Sequence, residues 1–140
     1  TLMKKISKIV LIGLVSLLGL SCSMDFKLKN TTWTCSTNYY VQEDSKSYKA
    51  EVELTLDKNL SGTFSITHEK TTSTYQNILL NVTGITKTVK DEEGINWDWL
   101  IVTDGENILE FKIEACSNPT NHYELRWVDP VYGYLSLLQK

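Results

Sequence analysis

The chain has 140 residues, a formal charge of −3 at pH 7 and 41% apolar residues, enough for one domain to bury a core without help from metals. Its 17 acids against 14 bases exclude the basic footprint of a sequence-independent nucleic-acid binder, and equally a polybasic membrane patch. No H-E-x-x-H, G-x-S-x-G, phosphate-cradling glycine loop, calcium-loop spacing or C-x-x-C occurs, so no cofactor, metal or catalytic residue is indicated and the chain reads as a non-enzyme.

In chain order, the basic Met3-Lys4-Lys5-Ile6-Ser7-Lys8 precedes an uncharged apolar run of twelve residues, 9–20, and then Gly19-Leu20-Ser21-Cys22. Basic, apolar, small and then Cys is the layout of an export signal, and twelve apolar residues fall short of the roughly 20 that a bilayer-crossing helix needs. The cysteine at the cleavage point makes the stretch resemble a bacterial lipoprotein signal. That resemblance implies removal of residues 1–21 and acylation of Cys22 by a lipid such as palmitate, leaving 119 residues. The signal holds three lysines and no acid, so the remainder carries a charge of −6. Ser23 is not the Asp that retains many such proteins at an inner membrane, so the expected address is the outer membrane, held through Cys22. An ordinary signal peptide cut nearby is the other reading.

With Cys22 assigned to the anchor, Cys35 and Cys116 remain as a pair in an oxidising compartment. A bridge between them would close a long loop, worth roughly 4–5 kcal/mol in the chain-entropy picture. Two buried free thiols are the alternative.

Residues 22–30 read as a polar tether and residues 31–140 as the domain. An opening strand covers residues 32–41, with Trp33 and Cys35 in it. Tyr48, Ala50, Val52, Leu54 and Leu56 alternate with Lys49, Glu51, Glu53 and Thr55, the period-2 pattern of a strand with one dry face. Asp57-Lys58-Asn59 turns the chain into residues 60–68, completing a hairpin. Residues 74–89 form a long strand in which Gly84 is expected to mark a bulge or bend. After the turn 91–94, residues 95–103 place Ile95, Trp97, Trp99 and Ile101 on one face. Asp104-Gly105 is a tight-turn dipeptide, residues 108–115 return, residues 117–121 loop, and residues 122–129 and 132–138 supply the last two strands.

Eight short strands joined mostly by tight turns predict an all-β, eight-stranded antiparallel up-and-down barrel, with a two-sheet sandwich as the alternative. His68 and His122 are expected at strand ends, solvated, and Asp91-Glu92-Glu93 reads as a wet turn. Trp33, Phe64, Trp97, Trp99 and Trp127 fall on the apolar faces of their strands and are the candidate lining of a cavity for a small apolar ligand, or else the core itself.

The leader, the short tether, the strand opening Asn30-Thr31-Thr32-Trp33 and the meander over residues 31–138 together resemble the bacterial lipocalin-like lipoproteins. That resemblance implies binding of a small apolar ligand without catalysis. A second, narrower resemblance is to membrane-bound inhibitors of c-type lysozyme, carried by Cys35, Cys116 and Ser61-Gly62-Thr63-Phe64. It implies a protein-facing module, an enzyme inhibitor or host-surface binder that would use turns such as 91–94.

Overall fold

The computed structural model describes Lys4–Lys5, residues 24–116 and residues 122–140. Alternating segments become strands β2 (Thr31–Val41), β3 (Lys46–Leu56), β4 (Ser61–His68), β5 (Ile78–Lys90), β6 (Asn96–Thr103), β7 (Asn107–Cys116), β8 (His122–Asp129) and β9 (Gly133–Gln139). Each pairs antiparallel with its chain neighbour, and β9 returns to β2. The result is a closed eight-stranded up-and-down barrel. Closure leaves no sheet edge along its lower rim, which a sandwich would. A two-residue strand, β1 (Lys4–Lys5), pairs with Ile108 and Asn107 of β7.

The lower end is where β2 begins. Residues 24–30 do not run free there. A single helical turn, α1 (Asp25–Leu28), lays Met24 and Leu28 into the core. Four residues have no helical stability of their own, so this turn is held by its contacts. Leu28 is fully buried, its carbonyl accepts the Thr31 hydroxyl, and Trp33 Nε1 donates to Thr31 Oγ1 at 2.7 Å. The Thr86 hydroxyl donates to Asp25, tying the turn to β5.

Two glycines fit this end through close backbone approach. A Cβ on Gly62 would stand 1.8 Å from the Thr55 carbonyl oxygen, where β4 leaves the turn from β3. Gly84 makes no bulge: the pairs Thr83–Thr103, Gly84–Val102 and Ile85–Ile101 run on without interruption. Its missing side chain serves the Leu60 carbonyl, which accepts the Gly84 N–H at 2.7 Å and would lie 2.9 Å from an added Cβ. A bulge and a close approach leave the same mark in a sequence, a glycine inside a strand.

The upper end is built differently. The β7–β8 ladder spans only Lys112–Arg126 to Cys116–His122, and β9 meets β2 only at Trp33–Gln139 and Thr34–Leu138. Above those pairs the β8–β9 hairpin is paired with itself, from Trp127–Leu135 to Asp129–Gly133. Neither β7 nor β2 pairs with it there: the seam between β9 and β2 is open, and the β7 edge that faces β8 is taken at Asn107 and Ile108 by β1.

Candidate binding site at the upper end of the barrel

Three of the five aromatic candidates point inward. Phe64 and Trp127 meet edge to face at 5.3 Å, and Phe111 packs against them at 6.3 and 5.9 Å. All three are buried, and with Trp33 below they fill the middle of the barrel. Trp97 and Trp99 are on the outside. Leu100 and Val102 are the β6 residues in the core, so the odd-numbered positions face out. Trp97 Nε1 donates to Asp91 Oδ2 at 2.8 Å, and Lys112 Nζ stands 3.6 Å from the centre of its ring. Apolar residues occupy both parities of Trp97-Asp98-Trp99-Leu100-Ile101-Val102, and Asp98 suggested the wrong one. Asp98 instead sits low in β6, where the Thr88 hydroxyl donates to it at 2.7 Å.

The Cys35–Cys116 bridge is not formed: Cys35 is a free thiol. It lies on β2 and Cys116 on β7, with β8 and β9 between them. Three strand spacings of about 4.8 Å put that distance beyond disulfide reach. Burial, reinforced by Glu51, pushes the Cys35 thiol up to about 11. Asp91 is occupied by its own turn, with Oδ1 accepting the Glu93 and Ile95 N–H groups at 2.9 Å. Among the described residues no cluster fit to hold a metal occurs. Cys22 lies outside the described residues.

Above the packed rings the interior changes character. The inward series of β4 and β8 end in His68 and Asp129, that of β2 carries Tyr39 and then Val41, and Tyr75 and Tyr132 come from the upper loops. Tyr39 stands 4.4 Å from Tyr75 and 5.0 Å, edge-on, from His68. Tyr132 stacks on His68 at 5.9 Å and lies 6.3 Å from Tyr75. Tyr48 joins at 6.1 Å from Tyr39, and its hydroxyl donates to Asp44 Oδ2 at 2.7 Å. The Tyr39 hydroxyl accepts the Lys70 N–H at 2.8 Å and anchors the loop that carries Tyr75.

His68 is 6% exposed, not solvated as its place at a strand end suggests, whereas His122 is exposed. Its Nε2 is hydrogen-bonded to the Tyr132 hydroxyl and its Nδ1 is buried without a partner. Desolvation pushes the imidazole below its ordinary value, with Asn77 opposing. Asp129 is 1% exposed. Its Oδ2 accepts the Val131 and Tyr132 N–H groups at 2.9 and 2.8 Å, but Oδ1 has no partner. Burial holds this carboxyl above the usual range, and burial with the nearby Asp129 charge pushes the Tyr132 phenol well up. Two buried polar atoms without partners at one end of a barrel are costly.

Outside this end, Lys49, Glu51, Thr67, His68 and Glu69 line an open, charged depression of about 430 Å³, unlike the apolar cup a greasy ligand needs. Ser61 to Phe64 is the first half of β4, and the fully buried Phe64 offers no aromatic group to a partner's cleft.

The sequence reading did not single out Tyr39, Tyr75, Tyr132 or Asp129. One signal was available: in an up-and-down meander alternate connections share an end, and Tyr39, Tyr48, Tyr75 and Tyr132 all lie beside upper ones. No protein-family model matches the chain, and neither a curated protein nor a solved structure does.

Proposed function

We propose that the protein is an exported, lipid-anchored, non-enzymatic binding protein of lipocalin-like build. It holds a small ligand in the upper end of its barrel, above the packed rings. The leader ending in Cys22 supports the anchor and the outer-membrane address. One observation carries the site: Tyr39, Tyr75, Tyr132 and His68 converge over Phe64 and Trp127 with two buried polar atoms unpartnered and an open seam between β9 and β2. Aromatic faces with a few placed polar groups are the usual composition of a small-molecule site. The filled middle favours a ligand about the size of one ring over a long acyl chain.

A saturable change in Trp127 and tyrosine emission with small aromatic compounds is the expected result, weakened by Tyr75→Ala. A flat response across a chemically broad set would remove the reading. For the anchor, Cys22→Ser is expected to abolish fatty-acid labelling and release the protein from membranes, and unchanged labelling would overturn that part.

A protein-facing role has one observation of its own. Trp97 and Trp99 lie on the outer face, with Val89 and Ile95 40% and 48% exposed beside the 91–95 turn. Should the ligand set give nothing, Trp99→Lys tests this face by its effect on binding to host surfaces.

A further inference from the structure

We propose that the ligand is an organic cation, a primary ammonium on a small apolar or aromatic body, with its charge seated against Asp129 beside Tyr132. This rests on the upper-end binding reading above and names the chemistry of that same site.

The carboxylate comes first. Asp129 closes the inward series Leu125, Trp127, Asp129 on β8, and the four ion pairs of the described residues leave it out. Its turn satisfies one oxygen through two backbone N–H groups and leaves the other buried and bare. Backbone donors alone do not offset the cost of burying a carboxylate; a counter-charge does.

The rings agree with that sign. Tyr39, Tyr75, Tyr132 and His68 pack directly on one another, neighbouring ring centres 4.4–6.3 Å apart, so the face that attracts a cation is the outer one of Tyr132, whose own N–H donates to Asp129. Of the bases near this rim, Lys70 is held by Asp44 at 3.4 Å and Lys46 lies over Tyr48 at 5.3 Å, while Lys49 is exposed on the outer face.

Hydrogen-bond bookkeeping narrows the class further. Asp129 Oδ1 is an acceptor by nature, whereas His68 Nδ1 accepts or donates according to the tautomer set by the Tyr132 hydroxyl. The Asp129 orphan therefore calls for a donor. An anion meets repulsion from Asp129, and a molecule without a donor leaves that oxygen bare. An ammonium group supplies three N–H donors and the missing charge together.

Three matched probes separate these cases: 2-phenylethylammonium, 2-phenylethanol and 3-phenylpropanoate, titrated calorimetrically into the whole protein at neutral pH. The ammonium is expected to bind at least tenfold more tightly than the alcohol, and the carboxylate not at all. Asp129→Asn should erase the ammonium's advantage over the alcohol. If that variant does not fold, the wild-type comparison still decides the matter. Equal binding of ammonium and alcohol overturns the cation assignment and keeps the binding site. No saturable binding of any probe overturns both.

Discussion

The two ends of this barrel solve the same problem in opposite ways. At the lower end α1, Leu28 and Trp33 plug the opening, and each polar group is used: the Trp33 indole by Thr31, and the Thr31 hydroxyl by the Leu28 carbonyl. At the upper end the plug is made of tyrosines and a histidine, the seam between β9 and β2 is open, and, among the described residues, two buried polar atoms have no partner. A fold that only had to be stable would finish both ends alike. Unsatisfied groups at one end mark the place where stability has been given up, and in a binding protein that is the end left for a ligand.

The sharpest way to break this contrast is to truncate rings on either side of it. Phe64→Ala or Trp127→Ala should cost about 3–5 kcal/mol in urea unfolding, since each leaves a cavity in a packed middle. Tyr75→Ala, on a loop above that layer, should cost clearly less. Equal losses would mean that the tyrosines are simply more core.

Next in size is the plug. Leu28→Ala is expected to cost about 2–5 kcal/mol, because Leu28 is fully buried. A loss near zero would return residues 24–30 to the role of a slack tether.

How much of this could be read beforehand follows from what alternation encodes. Strands such as β3, in which Tyr48, Ala50, Val52, Leu54 and Leu56 alternate with polar residues, carry their own facing, and the eight-strand meander followed from them. β6 did not, because Trp97, Trp99 and Ile101 compete with Leu100 and Val102 and only the register against β5 and β7 decides. The α1 plug was hidden for a related reason: Met24 and Leu28 stand in a polar stretch too short to show a period. Of the five aromatic residues buried among the described residues, three were legible as candidates: Trp33, Phe64 and Trp127. The upper site was not, since it is assembled from strand ends and loops that meet only after closure.

A subtler difference lies in local opening. Backbone amides in the upper part of β8 and β9, paired only with each other, should exchange with deuterium well before those of β2 and β3, whose ladder runs unbroken from Thr31–Leu56 to Val41–Lys46. Saturating ligand should slow the upper hairpin selectively. Uniform exchange across the four strands would show that the open seam has no dynamic consequence.

The smallest expected effect is a pH signature that sets buried Asp129 apart from the carboxylates held in turns. Asp57 and Asp91, in turns at the lower end, are held below the ordinary carboxylate value, Asp57 by the Ser61 and Asn59 N–H groups and Asp91 by the Trp97 indole and the Ile95 N–H. Their contribution is present above about pH 3.8 and is lost as pH falls through their lowered values. Asp129 is raised by burial, so the folded state binds its proton more tightly than the unfolded chain does. Stability attributable to it therefore declines as pH rises from 3.8 to its folded value, then stays level. His68 is lowered by burial, so its share is lost as pH falls below 6.5 towards its folded value, where the ring must charge. Asp129→Asn should accordingly match the wild type near pH 3.8 and gain on it towards neutrality, whereas His68→Gln should match at neutrality and gain below pH 6.5. Adding 2-phenylethylammonium should shrink the first difference, because a bound cation removes the penalty on the Asp129 charge. Parallel stability curves for wild type and Asp129→Asn would mean that this carboxylate is already solvated, and the contrast between the two ends would lose its electrostatic half.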